Sequence, residues 1–205
     1  MVAGRQRSFC KTQAIENAMR VFWQKGYAGA SLSDLTKAMG INKPSMYAAF
    51  GNKEQLFIQA VEYYLEAHAK PLTDVLNSDG TLKERVSNYL YHVLEGQCGG
   101  SSVELCGGDA PKGCFISSTI SESESDDFPE KAREMVYQMR DFSETFLTEF
   151  LEAEQEAGHL KDGADPKVIA QYLVTLMHGT AAMVRGGKNK QELKQTMDTA
   201  VNAVL

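Results

Sequence analysis

Between positions 31 and 53 the chain gathers side chains suited to holding an anion and touching a base: Ser31, Lys43, Pro44, Ser45, Tyr47 and Lys53. A serine hydroxyl donates to a base edge or a phosphate oxygen. A tyrosine hydroxyl and a lysine ammonium suit phosphate, and a proline ring can touch a thymine methyl. Ser31 stands where a helix begins, and the amides of a helix start attract anions. Arg5 and Arg7 add guanidinium groups in a basic arm, a type of segment that enters the negative potential of a minor groove. A second set of reactive groups lies mid-chain. Cys98, Cys106 and Cys114 have seven residues between successive members. No C-x-x-C pair occurs, so three readings stay open: incidental thiols, a thiol that senses oxidant or electrophile, and a metal sensor.

Charge separates the ends of the chain. The net charge is -6, yet residues 1 to 53 hold eight Lys and Arg against two acids, leaving +6 there and -12 on the remainder. A basic head on an acidic body is the footprint of a module that meets phosphate at one end only. Other classes find less support. His68, His92, His159 and His178 are scattered, and no G-x-S-x-G, P-loop, HExxH or dinucleotide fingerprint is present, so no catalytic residue, cofactor or metal site is assigned and an enzyme is not expected. No apolar run approaches the ~18 residues of a membrane span. The N-terminal segment lacks an apolar signal core, so the expected location is the cytoplasm and the expected state of the cysteines is reduced.

The elements that must position these groups follow from caps and periodicity. Residues 11 to 25 place Ile15, Ala18, Met19 and Phe22 on one helical face, with Trp23 beside them, and Gly26 ends that helix. Ser31 with Asp34 forms an approximate capping box for a helix carrying Leu32, Leu35 and Met39, closed by Gly40. Asn42 caps the next helix, with Pro44 in its first turn. This is a helix-turn-helix, one helix to brace and one, residues 43 to 50, to read a groove.

Gly26-Tyr27, Ser31-Leu32, Gly40-Ile41, Ser45-Met46-Tyr47, Phe50 and Lys53-Glu54-Gln55-Leu56 stand in register with the DNA-binding domain of TetR/AcrR-type regulators, which residues 9 to 65 closely resemble. The resemblance implies an all-α protein. An N-terminal three-helix helix-turn-helix DNA-binding domain, residues 1 to 70 with the connecting helix, would precede a C-terminal helical ligand-binding and dimerisation domain, residues 71 to 205. It implies double-stranded DNA with a palindromic operator as partner, contacted through Arg5, Arg7, Ser31, Lys43, Pro44, Ser45, Tyr47 and Lys53. It implies a homodimer, and a repressor released by a small-molecule effector.

The body reads as helices throughout. The connecting helix spans 53 to 70 and is expected to end at Lys70-Pro71. Thr81 with Glu84 caps a helix to about Glu95, and a glycine-rich loop covers 96 to 113. A short helix starts near Cys114, and Glu122 to Asp127 reads as a solvated acidic connector. The longest helix runs from Phe128-Pro129-Glu130 to about Ala157, and two more lie over 165–185 and 190–204. The last two are expected to form the dimer, with Ala181 and Val201 in the interface. Effector or regulatory candidates are Cys98, Cys106, Cys114, Phe115, Met139 and Phe142. Cys114 leads because a helix N-terminus and nearby Lys112 favour its thiolate.

Overall fold

The computed structural model describes residues 9–99 and 111–205. Ten α-helices and one π-helical turn make up the described chain, and no strand occurs among the described residues. Four helices build the head: α1 (Lys11–Gly29), α2 (Leu32–Met39), α3 (Lys43–Phe50) and α4 (Lys53–Tyr64). Local chemistry fixes their ends. Ser31 and Asp34 form a reciprocal capping box at α2, Asn42 caps α3, and Asn52 with Gln55 boxes the start of α4. Gly40 takes φ 66°, the left-handed conformation that turns the chain between α2 and α3. Met19, Phe22, Leu35, Met46, Leu56 and Phe57 are buried together and lock the two short helices onto α1 and α4.

The connecting helix does not stop at Pro71. A π-helical turn, Leu65–Ala69, follows α4, and α5 (Lys70–Leu76) starts directly after it. Proline removes one backbone donor and crowds the carbonyl four residues back, so it is tolerated where the α-helical register is interrupted, as it is at this π-helical turn. The widened turn lets α5 begin afresh, so Pro71 opens a helix rather than closing one.

The body comprises α6 (Leu82–Gln97), α7 (Phe115–Glu122), α8 (Glu130–Glu156), α9 (Pro166–Arg185) and α10 (Lys190–Val204). Thr81 and Glu84 form the expected capping box at α6. Leu90, Leu94, Leu147, Leu151, Leu173 and Met197 fill its core. The two cores do not divide the chain at one point. Phe115, Ile116, Phe128 and Ala132 lie beyond the connecting helix in sequence, yet they are buried in the head's core. The Phe115 ring meets Trp23, Phe57 and Tyr64 with centroids 5.6 to 6.1 Å apart. Phe115 is therefore a packing residue between head and body, not an open effector contact. Helix α7 and the start of α8 thus belong to the body by sequence and to the head by packing.

Ala181 is 1% exposed and Val201 likewise, both within one protomer. That corrects their assignment to an interface between copies: the body of the same chain already covers them.

Candidate nucleic-acid interface

Helix α3 has two faces. Met46 and Phe50 are buried, while Lys43, Pro44, Tyr47 and Ala48 are exposed and Ser45 is half-buried. Spacing accounts for most of this: with Met46 and Phe50 buried four apart, positions 44 and 48 fall on the opposite side and 47 on its flank, whereas Lys43, three before Met46, shares their side and is exposed as the first residue of the helix. Tyr47 is 47% exposed, unusual for so large a ring, and its hydroxyl makes no hydrogen bond to any described residue. Asn42 Oδ1 accepts from the Ser45 amide at 2.8 Å, which satisfies one of the unpaired donors at the start of α3 and holds its first turn. Lys43 has no described ion-pair partner.

At the start of α2, Ser31 is more occupied than expected. Its Oγ accepts from the Asp34 amide at 3.1 Å and donates to Asp34 Oδ2 at 2.7 Å. A hydroxyl has one proton, so Ser31 can donate to a phosphate only by giving up Asp34. Asp34 is the hub here, since Lys25 Nζ lies 2.7 Å from its Oδ1. The Lys25 ammonium, then the Ser31 hydroxyl and amide, hold the Asp34 carboxyl down to about 2.

Lys53, the first residue of α4, has its ammonium 4.5 Å from the centroid of the Tyr27 ring. That ring stacks on Phe22 and meets Phe57 and Phe128 edge-on. Partial burial lowers the Lys53 pKa, against the opposing pull of Glu122. The aromatic platform orders a side chain that would otherwise be mobile, and Lys53 has no hydrogen-bond partner among the described residues. Arg5 and Arg7 lie outside the described residues.

Glu122 is not a solvated connector residue. Its Oε2 accepts from the Tyr27 backbone amide at 2.7 Å, across 95 positions of sequence. Arg185, at the end of α9, donates to the Trp23 carbonyl and to the Lys112 carbonyl. Neither residue stood out in the sequence. The one local trace was the glycine at 26, whose partner no periodicity could name.

The regulatory candidates are spread out. Cys114 caps α7 and is half-buried, with Sγ 3.5 Å from the Tyr64 hydroxyl at the end of α4. Cys98 closes α6, and burial pushes its thiol up, away from thiolate. Cys106 lies outside the described residues. Met139 is half-buried against the head's core. Phe142 is 60% exposed and stacked on Phe146, so it lines no enclosed site. Among the histidines, His178 Nδ1 lies 2.6 Å from Ser117 Oγ, joining α9 to α7, while its Nε2 is buried without a partner. Desolvation lowers the His178 pKa. Among the described residues no group of three or more His, Cys, Asp or Glu is arranged to hold a metal ion. No helix among them is long and apolar enough to cross a membrane.

This geometry has close counterparts among known proteins. The family profile "Bacterial regulatory proteins, tetR family" matches residues 14–60, and "Tetracyclin repressor-like, C-terminal domain" matches residues 104–200. The HTH-type transcriptional repressor BdcR of Escherichia coli K12 is 30% identical over 205 residues, covering 99% of this chain and 93% of BdcR. ComR, another HTH-type transcriptional repressor of that organism, is 28% identical over 97% of this chain and 90% of its own length. Among solved structures, a cysteine mutant of the regulator CifR complexed with 26 bp double-strand operator DNA superposes with a TM-score of 0.86 at 30% identity, covering 98% of this chain and 100% of that one.

Proposed function

The chain belongs to the tetR family of bacterial regulatory proteins and is a DNA-binding transcriptional repressor, and from that premise we propose how it reads its operator. Pro44, Ser45 and Tyr47 of α3 enter the major groove, and Lys43 at the start of α3 and Lys53 at the start of α4 anchor adjacent phosphates. The observation that carries this is the exposed outer face of α3, set opposite buried Met46 and Phe50. The α2 amides behind Ser31 add a phosphate contact, with the Ser31 hydroxyl serving as a cap. The location is the cytoplasm, where the operator is.

Two copies bind one palindromic operator, as expected for symmetric dimers reading paired half-sites about one helical turn apart. The apolar residues Val168, Tyr172 and Met183 of α9 remain exposed and repeat at helical spacing on one face, with the small Gly179 between them. Phe142 of α8 is exposed as well. These supply the apolar face that a second copy covers. An organic effector of the helical body would release the operator by favouring a second arrangement of the heads.

A thiol reading stands second, favoured by the Cys114 contact with Tyr64 on the connecting helix. Oxidation of that sulfur would displace a half-buried tyrosine next to the head. Selection of bound fragments from a random duplex pool tests the main reading and should recover paired, inverted half-sites. Single half-sites, or no enrichment, would refute it. A band-shift comparison of wild type and Cys114→Ser under mild oxidant separates the readings, because only a thiol switch gives oxidant-dependent release that the serine abolishes.

A further inference from the structure

Helix α1 breaks at Gly26, where φ is 74° and ψ 173°. An unbroken α-helix would join the Tyr27 amide to the Trp23 carbonyl, four residues back. The break at Gly26 interrupts the ladder of i→i−4 bonds, and the body takes both groups of the Tyr27–Trp23 pair. Glu122 Oε2 receives the Tyr27 amide at 2.7 Å, and Arg185 Nη2 donates to the Trp23 carbonyl at 2.5 Å. One neutral bond inside the head is thus replaced by two charge-assisted bonds to the body, and charge-assisted bonds are the stronger kind.

Two glycines make room for the arrangement. A Cβ on Gly26 would lie 1.7 Å from Glu122 Oε1, and its positive φ disfavours any other residue. A Cβ on Gly113, at φ +85°, would lie 2.8 Å from Arg185 Cγ and 3.1 Å from the Ala181 carbonyl. The clamping residues are the last residues of their helices, Glu122 of α7 and Arg185 of α9. Those helices are themselves tied by the Ser117–His178 contact at 2.6 Å. The same α9 carries exposed Val168, Tyr172 and Met183.

We propose that Glu122 and Arg185 are positioning residues for operator recognition: by gripping the opened bond of α1 they fix each head against α9, and so set the spacing of the two reading helices in the dimer. The inference rests on the dimeric operator reading above. Neither residue touches DNA. Each acts through α1, whose packing on α2 and α4 seats α3.

A rigid clamp makes binding sensitive to the distance between half-sites, since each added base pair displaces one half-site by about 3.4 Å and rotates it by roughly 35°. The experiment takes the operator selected by wild type, the same duplex with one base pair inserted or removed at its centre, and a single half-site. Affinities are measured for wild type, Glu122→Ala, Arg185→Ala, and the conservative pair Glu122→Gln and Arg185→Lys, which keep the test open if the alanine variants fold poorly. Wild type should lose about a hundredfold on the altered spacings, as for misplacement of one of two linked contacts. The alanine variants should lose about tenfold or less, with half-site affinity unchanged, and the conservative variants should fall between. Spacing discrimination as sharp as wild type's, or an equal loss on every duplex including the half-site, overturns the proposal. If wild type itself selects no paired half-sites, the dimeric operator reading fails first and takes the clamp's role with it.

Discussion

Lys43→Ala and Lys53→Ala should each flatten the salt dependence of operator binding, and the structure says how the two should differ. Every phosphate neutralised adds about 0.9 to the slope of log affinity against log salt. A dimer presents each lysine twice, so either substitution should lower the slope by about 1.8. Between 50 and 200 mM salt, a slope difference of that size amounts to about a twelvefold difference in affinity loss. The slopes should fall alike, but the low-salt affinities should not. Lys43 is exposed on α3 without a described partner, so it must be ordered when DNA arrives. Lys53 already rests on the Tyr27 ring, 4.5 Å from its centroid, and pays less of that entropy. Lys53→Ala should therefore cost more affinity at low salt than Lys43→Ala. Fluorescence anisotropy with a labelled duplex at four or five salt concentrations measures both quantities. An unchanged slope for either variant removes that lysine from the phosphate contacts, and a larger low-salt loss for Lys43→Ala refutes the argument from preorganisation.

Three further outcomes are expected. Tyr172→Asp or Met183→Asp should give folded monomers in sedimentation, because both side chains are exposed on the protomer, whereas Ala181→Asp should lose helical circular dichroism, because a charge there would be buried in the protomer itself. Asn42→Ala removes the 2.8 Å cap of α3 and should cost about 1 kcal/mol, lowering the thermal midpoint by about 2–4 °C, with little change if the cap is dispensable. The Asp34 carboxyl is held at about 2 in the fold against 3.8 in its ordinary state, so it contributes stability above about pH 4 that is lost as pH falls toward 2. Asp34→Asn should remove that part of the acid limb in denaturation measured against pH, and an unchanged limb would show that the Lys25 and Ser31 contacts do not persist in solution.

The head was legible because its rules are local. Ser31 with Asp34 and Asn42 with Ser45 act over three residues, as Thr81 with Glu84 does in the body, and each formed as its spacing required. The outward positions of Pro44, Tyr47 and Ala48 on α3 followed by arithmetic from Met46 and Phe50. Ala181 and Val201 show where that arithmetic stops. Helical periodicity identifies a stripe that must be buried, but it does not say whether the same chain or a second copy buries it. Both stripes are covered by the protomer, and the exposed residues Val168, Tyr172 and Met183 alternate with a buried set on the same helix. Phe142 misled in the opposite sense. Its aromatic character suggested an interior site, and only packing reveals it on the surface.

What sequence could not supply was any pairing across the molecule. Pro71 read as a stop because a π-helical turn leaves no composition signal, and a proline in the first turn after it looks the same as one that ends a helix. Glu122 read as one acid among several because the amide it holds lies 95 positions earlier. Yet the two glycines that admit the clamping residues were visible, and their physics differs from that of ordinary turn glycines. Gly40 has nothing within 4 Å of a built Cβ, so its conformation alone requires glycine. Gly26 and Gly113 need glycine both for conformation and for space, and the atoms that need the space belong to Glu122 and Arg185. A substitution that tolerates the left-handed conformation but adds bulk therefore distinguishes the two kinds of site. Asparagine at 40 should leave the head intact, whereas asparagine at 26 must expel the Glu122 carboxylate and return an unpaired amide to the centre of the joint between head and body.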